Sequence, residues 1–259
     1  MIESLNSPHI ARVKALISTR GVKERKSAGQ FVAEGLQCAR EAFVSNNGPE
    51  LETIYLTVNG RSRAQEIADL SRFNTVDVSD EVMKEMSETI TPQGIIAICT
   101  IPHTQIESIS LNGSRRFIYL SEVQDPGNAG TILRSADAFG MDAVITSPGS
   151  VDMYSPKVVR STAGSLWHIP VYQSIAIEDL LNQGIHGFSL GATGGKSLKE
   201  FVVTGDTVAI FGNESRGLST STMLNNIESV NIPMPGAAES LNLSAAASIV
   251  MYHLSNMPR

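Results

Sequence analysis

From residue 117 onward the chain alternates short apolar runs with segments of helical periodicity, and that alternation admits few folds. Strand-like runs fall at residues 117–120, 143–146, 187–190, 207–211 and 229–232. Between them lie helix candidates. Residues 131–139 stop at Gly140, a good C-cap position. Ser155-Pro156 offers an N-cap followed by proline at the first helical position. Residues 177–183 end before Gly184, and residues 243–254 are rich in small side chains. Buried strands that alternate with helices predict an α/β domain, its parallel sheet covered on both faces. Ligands in such sheets bind beyond the carboxyl ends of the strands. The loops after Leu120, Leu190, Phe211 and Ile232 are therefore where chemistry is expected.

Residues 1–100 read differently. Val13, Leu16 and Ile17 give residues 11–18 helical spacing, and Leu36, Ala39 and Phe43 do the same for residues 34–45. Shorter β-type runs occur at 53–56 and 94–99, which suggests a small α/β sandwich. Residues 101–116 mix Pro, Ser, Asn and Gly with little periodicity and read as a linker. The predicted organisation is thus a domain over 1–100, a linker over 101–116 and a second domain over 117–259, with no internal repeat.

Composition narrows the function classes. In 259 residues, 42% hydrophobic, no apolar run reaches the roughly 18 residues needed to cross a bilayer. The N-terminal stretch lacks the basic-then-apolar pattern of a secretory signal. Cys38 and Cys99 stand far apart without CxxC spacing, which excludes a disulfide scaffold and fits a reducing, cytoplasmic compartment. His9, His103, His168, His186 and His253 show no metal-ligand spacing, so no metal is expected. A net charge of −6 argues against RNA binding by the whole surface. Yet Arg12, Lys14, Arg20, Lys23, Arg25 and Lys26 face only Glu3 and Glu24 within residues 1–30. Such a patch either meets RNA phosphates or is the solvated face of a surface helix.

Three loops stand out. The first, Ser121 to Gly130, joins a strand to a helix N-terminus, a natural anion site, and carries Asn128 with Arg134 beyond it. In the second, Gly212 and Gly217 flank Asn213, Glu214, Ser215 and Arg216 directly after an apolar strand. The third stiffens the exit from a strand with Pro233 and Pro235, then alternates Ser240, Asn242 and Ser244 with leucines into an Ala-rich helix. Each alone is explained by turns and caps: a Pro-Gly turn, Ser219 capping a helix, Asn242 or Ser244 as an N-cap.

Together, in this order, they resemble the motifs of the SpoU branch of the SPOUT methyltransferases. Asn128-x-Gly130-x-x-x-Arg134 is similar to the first family motif, Gly212-Asn213-Glu214-x-x-Gly217-Leu218-Ser219 to the second, and Ile232-Pro233-Met234-x-Gly236 with Ser240-Leu241-Asn242-Leu243-Ser244 to the third. The resemblance covers about residues 117–257. Ser7-Pro8, the basic helix and Gly29-Gln30-Phe31-Val32-Ala33-Glu34-Gly35 look like the substrate-binding domain of ribosomal-RNA members, itself similar to small ribosomal proteins.

The resemblance implies a C-terminal domain with a deep trefoil knot that binds S-adenosylmethionine and methylates a ribose 2′-hydroxyl of RNA, ribosomal rather than transfer RNA. It implies cofactor contacts from Leu190, Gly191, Ala192, Gly212, Ile232 and Leu241, and an active site of Asn128, Arg134, Glu214, Ser240 and Asn242. It also implies a homodimer whose active sites draw on both chains, compatible with the small residues Ala245 to Ser248. Arg134 is expected to clamp phosphate and stabilise the developing alkoxide, since a guanidinium stays protonated and is a poor base. Two competing classes are weaker. A noncatalytic RNA-binding protein of the same fold has no need of the intact polar motif residues, and a Rossmann-type enzyme lacks any G-x-G-x-x-G after a strand. Gly191 to Ser197 is one residue too short for a P-loop, and no G-x-S-x-G elbow is present.

Overall fold

The computed structural model describes residues 1–191, 195–218 and 227–259. The predicted cofactor contact Ala192 and the predicted cap Ser219 lie outside the described residues. Along the chain run α1 (Pro8–Ile17), α2 (Val22–Ala28), β1 (Gln30–Glu34), α3 (Leu36–Val44), β2 (Leu51–Leu56), α4 (Val58–Gln65), β3 (Thr75–Asp77), α5 (Asp80–Met86) and β4 (Ile95–Thr100). After them come β5 (Arg116–Leu120), α6 (Pro126–Ala138), β6 (Ala143–Thr146), α7 (Pro156–Thr162), β7 (Val171–Tyr172), α8 (Ile177–Leu181), β8 (His186–Leu190), β9 (Lys196–Ser197), β10 (Thr207–Phe211), β11 (Glu228–Asn231) and α9 (Leu243–Ser255). They form two compact units: residues 1–103 with 152–168, and residues 104–151 with 169–259. The split departs from the sequence boundaries, because 152–168, placed by periodicity in the second domain, packs with the first.

The first unit has a sheet ordered β1-β4-β2-β3, antiparallel except for the β2–β3 pair. Strand alternation sorts its side chains. Val32, Tyr55, Ile96 and Ile98 meet Val13, Leu16, Val82 and Met86 from α1 and α5. Phe31 points the other way, its ring 5.0 Å from that of Tyr154 and 6.1 Å from that of Trp167. Helix α1 starts three residues earlier than its apolar spacing predicts, because Ser7 accepts from the His9 amide and Pro8 takes the first turn. Glu34, predicted as the start of a helix, instead closes β1 opposite Ile96. Gly35, at φ 98°, makes the break that lets α3 begin at Leu36. Ser155 is the N-cap residue of α7 with Pro156 at the first position, as predicted, yet its buried hydroxyl caps nothing among the described residues.

One of the residues assigned to the RNA-facing patch is a core residue. Arg25 is 2% exposed; its Nε donates to Asp152 Oδ2 at 2.7 Å and its Nη1 to the Leu16 carbonyl. Helical periodicity puts it on the inner face of α2, where residues 152–168 bring the carboxylate that neutralises it.

The second unit is a parallel sheet ordered β7-β6-β5-β10-β8-β11-β9 among the described residues. Phe117, Tyr119, Ile145, Val208 and Ile210 share its apolar core with Ile177 and Leu180 of α8. Much of the predicted linker belongs to this unit. Ile106, Ile109 and Leu111 pack on the core, and the Asp206 carboxylate accepts from the amides of Gly113 and Arg115. Helix α6 begins at Pro126 with Asp125 accepting from the Asn128 amide at 2.7 Å, five residues before the predicted start. Arg134 consequently falls in the third turn of α6, not the first.

Helix α9 is held at its far end by another buried guanidinium. Arg116, at the start of β5, donates to the carbonyls of Leu254, Met257 at 3.2 Å and Pro258 at 2.6 Å. Leu254 is in the last turn of α9 and Met257 and Pro258 lie just beyond it, so one side chain of the sheet fastens the helix end and the tail that follows. Ser135 and Ser248, 2.9 Å apart, tie α9 to α6.

Removing one partner of a buried ion pair strands the other charge, which costs several kcal/mol. Arg25→Met is expected to lower the unfolding free energy by about 3 kcal/mol. Lys26→Met on the same helix should change it by less than about 0.5 kcal/mol. Urea denaturation of the two variants checks this, and equal stabilities would return Arg25 to the surface.

Candidate active site

The loops after β5 and β10 and the head of α9 meet in one hydrogen-bonded cluster. Glu214 Oε1 accepts from the Asp125 amide at 3.1 Å and from Asn128 Nδ2 at 3.3 Å, while its Oε2 accepts from the Gln124 amide at 3.3 Å. Asn128 Oδ1 in turn accepts from Asn242 Nδ2 at 3.2 Å. Asn242 Oδ1 caps α9, accepting from the amides of Ser244 at 2.9 Å and Ala245 at 3.3 Å. Asn242 is thus an N-cap, as its helix-start position suggests, and also a link to Asn128. Both roles follow from its amide having a donor end and an acceptor end.

Glu214 holds its place through its own loop. Asn213 Nδ2 donates to the Glu122 carbonyl at 2.8 Å, and Asn213 and Gly217 exchange backbone hydrogen bonds at 2.9 Å. A Cβ on Gly212 would sit 2.4 Å from the Gly217 carbonyl carbon, so that tight loop requires glycine there. Burial alone would raise the Glu214 carboxyl. Hydrogen bonds from its own amide, from the amides of Asp125 and Gln124, and from Asn128 outweigh burial and hold it below its ordinary value. It is therefore a carboxylate at neutral pH that ties the loop after β5 to its own loop through three hydrogen bonds.

Beside this cluster, at the carboxyl ends of β8 and β11, lies a cleft of about 130 Å³. Leu190, Ile232, Met234, Leu241 and Ala246 give it apolar walls, Gly191 keeps one wall free of a side chain, and Glu239 and Ser240 add polar groups. The residues fit S-adenosylmethionine in kind: apolar walls suit an adenine ring, and the Glu239 carboxylate suits a sulfonium. At this volume the cleft takes a ring, not a whole ligand, since enclosed small-molecule sites run from roughly 300 Å³.

Of the predicted cofactor contacts, Leu190, Gly191, Ile232 and Leu241 line the cleft, whereas Gly212 lies outside the lining and serves its own loop. Of the predicted catalytic residues, Asn128, Glu214 and Asn242 are joined directly, and Ser240 lines the cleft. Arg134 is not brought to them. Six residues along α6 separate it from Asn128 by about 9 Å of axial rise and a large turn of the helix. It is exposed and without a hydrogen bond or ion pair among the described residues. Sequence reasoning missed Glu239, a carboxylate one residue ahead of a motif, and the link from Asn128 to Asn242 across more than a hundred residues.

The basic patch is thinner than its sequence. Besides buried Arg25, Arg12 pairs with Glu52 and Gln30, and Lys14 with Glu85. Arg20, Lys23 and Lys26 are exposed and unpaired among the described residues. No group of three or more potential metal ligands occurs among the described residues, and no described helix is long and apolar enough to cross a membrane.

A folded-state carboxyl value below the ordinary 4.5 carries a definite sign. The hydrogen bonds to Glu214 stabilise the fold fully above that ordinary value, and the contribution is lost as pH falls through the lower folded value. The melting-temperature gap between the wild type and Glu214→Gln should therefore be flat above about pH 5 and shrink below about pH 4. A gap that grows on acidification would contradict the assignment.

Comparison with known proteins agrees with this geometry. The SpoU rRNA Methylase family matches residues 115–252, and the MRM3-like substrate binding domain matches residues 9–97. The 23S rRNA (guanosine(2553)-2′-O)-methyltransferase RlmP of Bacillus subtilis is 29% identical over 98% of this chain and 99% of its own length. An uncharacterized tRNA/rRNA methyltransferase of Synechocystis sp. is 31% identical over 97% of this chain and 92% of its own length. The SpoU methyltransferase AviRb of Streptomyces viridochromogenes, solved in complex with the cofactor AdoMet, superposes with a TM-score of 0.83 at 26% identity, covering 96% of this chain and 97% of that one. With more than half of its residues matched by one family and that family's motifs gathered around one carboxylate, the chain belongs to the SpoU rRNA methylase family.

Proposed function

We propose that this chain is an S-adenosylmethionine-dependent methyltransferase that methylates a ribose 2′-hydroxyl in ribosomal RNA. The continuous chain from Glu214 through Asn128 to Asn242, next to an apolar cleft at the strand ends, carries this reading. The full-length likeness to the Bacillus subtilis 23S rRNA enzyme supports ribosomal over transfer RNA. When bound, S-adenosylmethionine supplies an electrophilic methyl group on a sulfonium. The chain's own residues have to hold the 2′-oxygen in line and ease the loss of its proton. Ser240, whose hydroxyl has no partner among the described residues, and the amides of Asn128 and Asn242 position the ribose. Glu214 fixes those amides. Arg134 is a permanently protonated fork suited to the adjacent phosphate and to the alkoxide as it develops.

Arg134 makes no hydrogen bond or ion pair to its own chain's cluster among the described residues, which favours a homodimer in which each active site takes Arg134 from the second copy. An apolar stripe on α9 supports that arrangement: Ala245, Ile249 and Tyr252 lie at helical spacing, the last two 40% and 61% exposed. The family's trefoil knot is part of this reading and agrees with the all-parallel strand order, as a cytoplasmic location agrees with two free buried thiols.

Incubation of the purified chain with unmodified ribosomal RNA and methyl-labelled S-adenosylmethionine should yield one 2′-O-methylated nucleoside. Arg134→Lys keeps the charge but loses the bidentate fork, and its kcat should fall about 100-fold, the usual effect of losing one transition-state donor. Near-normal turnover would sink the clamp. Arg134→Lys mixed with Glu214→Gln should regain part of the activity if the sites are shared between copies.

A further inference from the structure

A second cavity, about 350 Å³ against 130 Å³ for the active-site cleft, lies wholly within the first unit. It is bounded by the end of β1, the start of α3, the loop before β4, and α7. Its volume is in the range of sites for small organic groups, roughly 300–1,000 Å³. Its floor is unusual. Glu34 is buried, with Oε1 accepting from Ser87 and from Thr89 Oγ1 at 2.5 Å. Its Oε2 is ion-paired with Arg160 Nη1 at 3.7 Å, beyond hydrogen-bond reach, so hydrogen-bond acceptor capacity on that oxygen remains. Gln93 spends its carbonyl on the Leu36 amide, which leaves its Nε2 donor unengaged. Gln37 spends its Nε2 on Glu41, which leaves its carbonyl as an acceptor. Burial pushes the Cys38 thiol, also on the lining, up to about 11, so it is a neutral wall and not a nucleophile.

Donors and acceptors converging on a space of this size are the complement of a nucleobase edge. Sequence-specific RNA recognition takes this form: unstacked bases held on their Watson–Crick edges with one face against a side chain. Ile90 is available for that face. It is 93% exposed and sits between Thr89 and Thr91, both on the lining. Arg40 and Lys157, unpaired among the described residues, lie one turn along their helices from Gln37 and Arg160, where they can meet flanking phosphates. We propose that this cavity receives one unstacked nucleobase of the RNA substrate, a base bearing an exocyclic amino group that donates to Glu34, with Ile90 against its face. Guanine, adenine and cytosine present such a donor, and uracil does not. RNA as the ligand rests on the function proposed above.

The test uses the full chain, an unmodified 23S ribosomal RNA transcript and fixed salt. Ile90→Ser and Gln37→Ala alter exposed side chains, so melting temperature and S-adenosylmethionine affinity should stay at wild-type values. Each should weaken transcript binding about tenfold, the size expected from losing one apolar contact or one hydrogen bond. Transcript affinities within twofold of wild type for both variants overturn the proposal. Saturation-transfer NMR should show magnetisation reaching GMP, lost in Ile90→Ser, and little reaching UMP; equal transfer to both overturns the amino-group assignment. A wild-type chain that binds the transcript yet transfers no methyl group overturns the functional reading instead, while the variants' affinities still decide the cavity.

Discussion

The architecture of the second unit converges on one carboxylate. Glu214 reaches across from the loop after β10 to the loop after β5, and by way of Asn128 to the first residue of α9. Backbone amides at a helix start are orphan donors that have to be satisfied somewhere. Here the amides of Gln124 and Asp125 are satisfied by a residue far away in sequence, and the same bonds that hold the loop together keep the carboxyl ionised. Hydrogen bonds to a charged acceptor are worth about twice those between neutral groups, which is what a largely solvent-facing junction needs.

Helix α9 completes the frame as a strut fixed at both ends. Asn242 anchors its beginning to the cluster, and Arg116 anchors its end to the first residue of β5. Arg116 is buried, and burial pulls its basicity down from the usual guanidinium value. Because β5 also leads directly into the first motif loop, the same strand sets both ends of the helix relative to Asn128.

Much of this was legible in the sequence, for reasons that differ by element. The central strands β5, β6 and β10 announced themselves because they are buried throughout and read as largely apolar runs such as residues 207–211, whereas β8 and β11 are half-exposed and carry polar residues. Helix α6 was placed too late because its first turn, Pro126-Gly127-Asn128, has the composition of a loop, and only the Asp125 cap and the proline's fixed φ make it helical. The motif residues could be named, and Asn128, Glu214 and Asn242 do meet, but their bonding could not be read from spacing. Arg25 misled because charge in a sequence says nothing about burial. Its carboxylate partner lies 127 positions on, beyond any helical or strand period. Arg12 and Lys14 misled more mildly, their partners Glu52 and Glu85 also being remote.

The loan of residues 152–168 to the first unit has a consequence for biogenesis. On a ribosome the N-terminal sheet emerges early, yet its buried arginine has no counter-charge, and Phe31 lacks the rings of Tyr154 and Trp167, until some seventy further residues have been made. Over that interval the nascent chain is an incomplete fold carrying an uncompensated cation, and loop closure must bridge the whole of β5, α6 and β6 before it settles. The first unit is therefore not contiguous in the chain, and its last segment follows β5, α6 and β6 in order of synthesis. A product truncated between Thr100 and Asp152 lacks both the carboxylate that neutralises Arg25 and the rings that pack on Phe31.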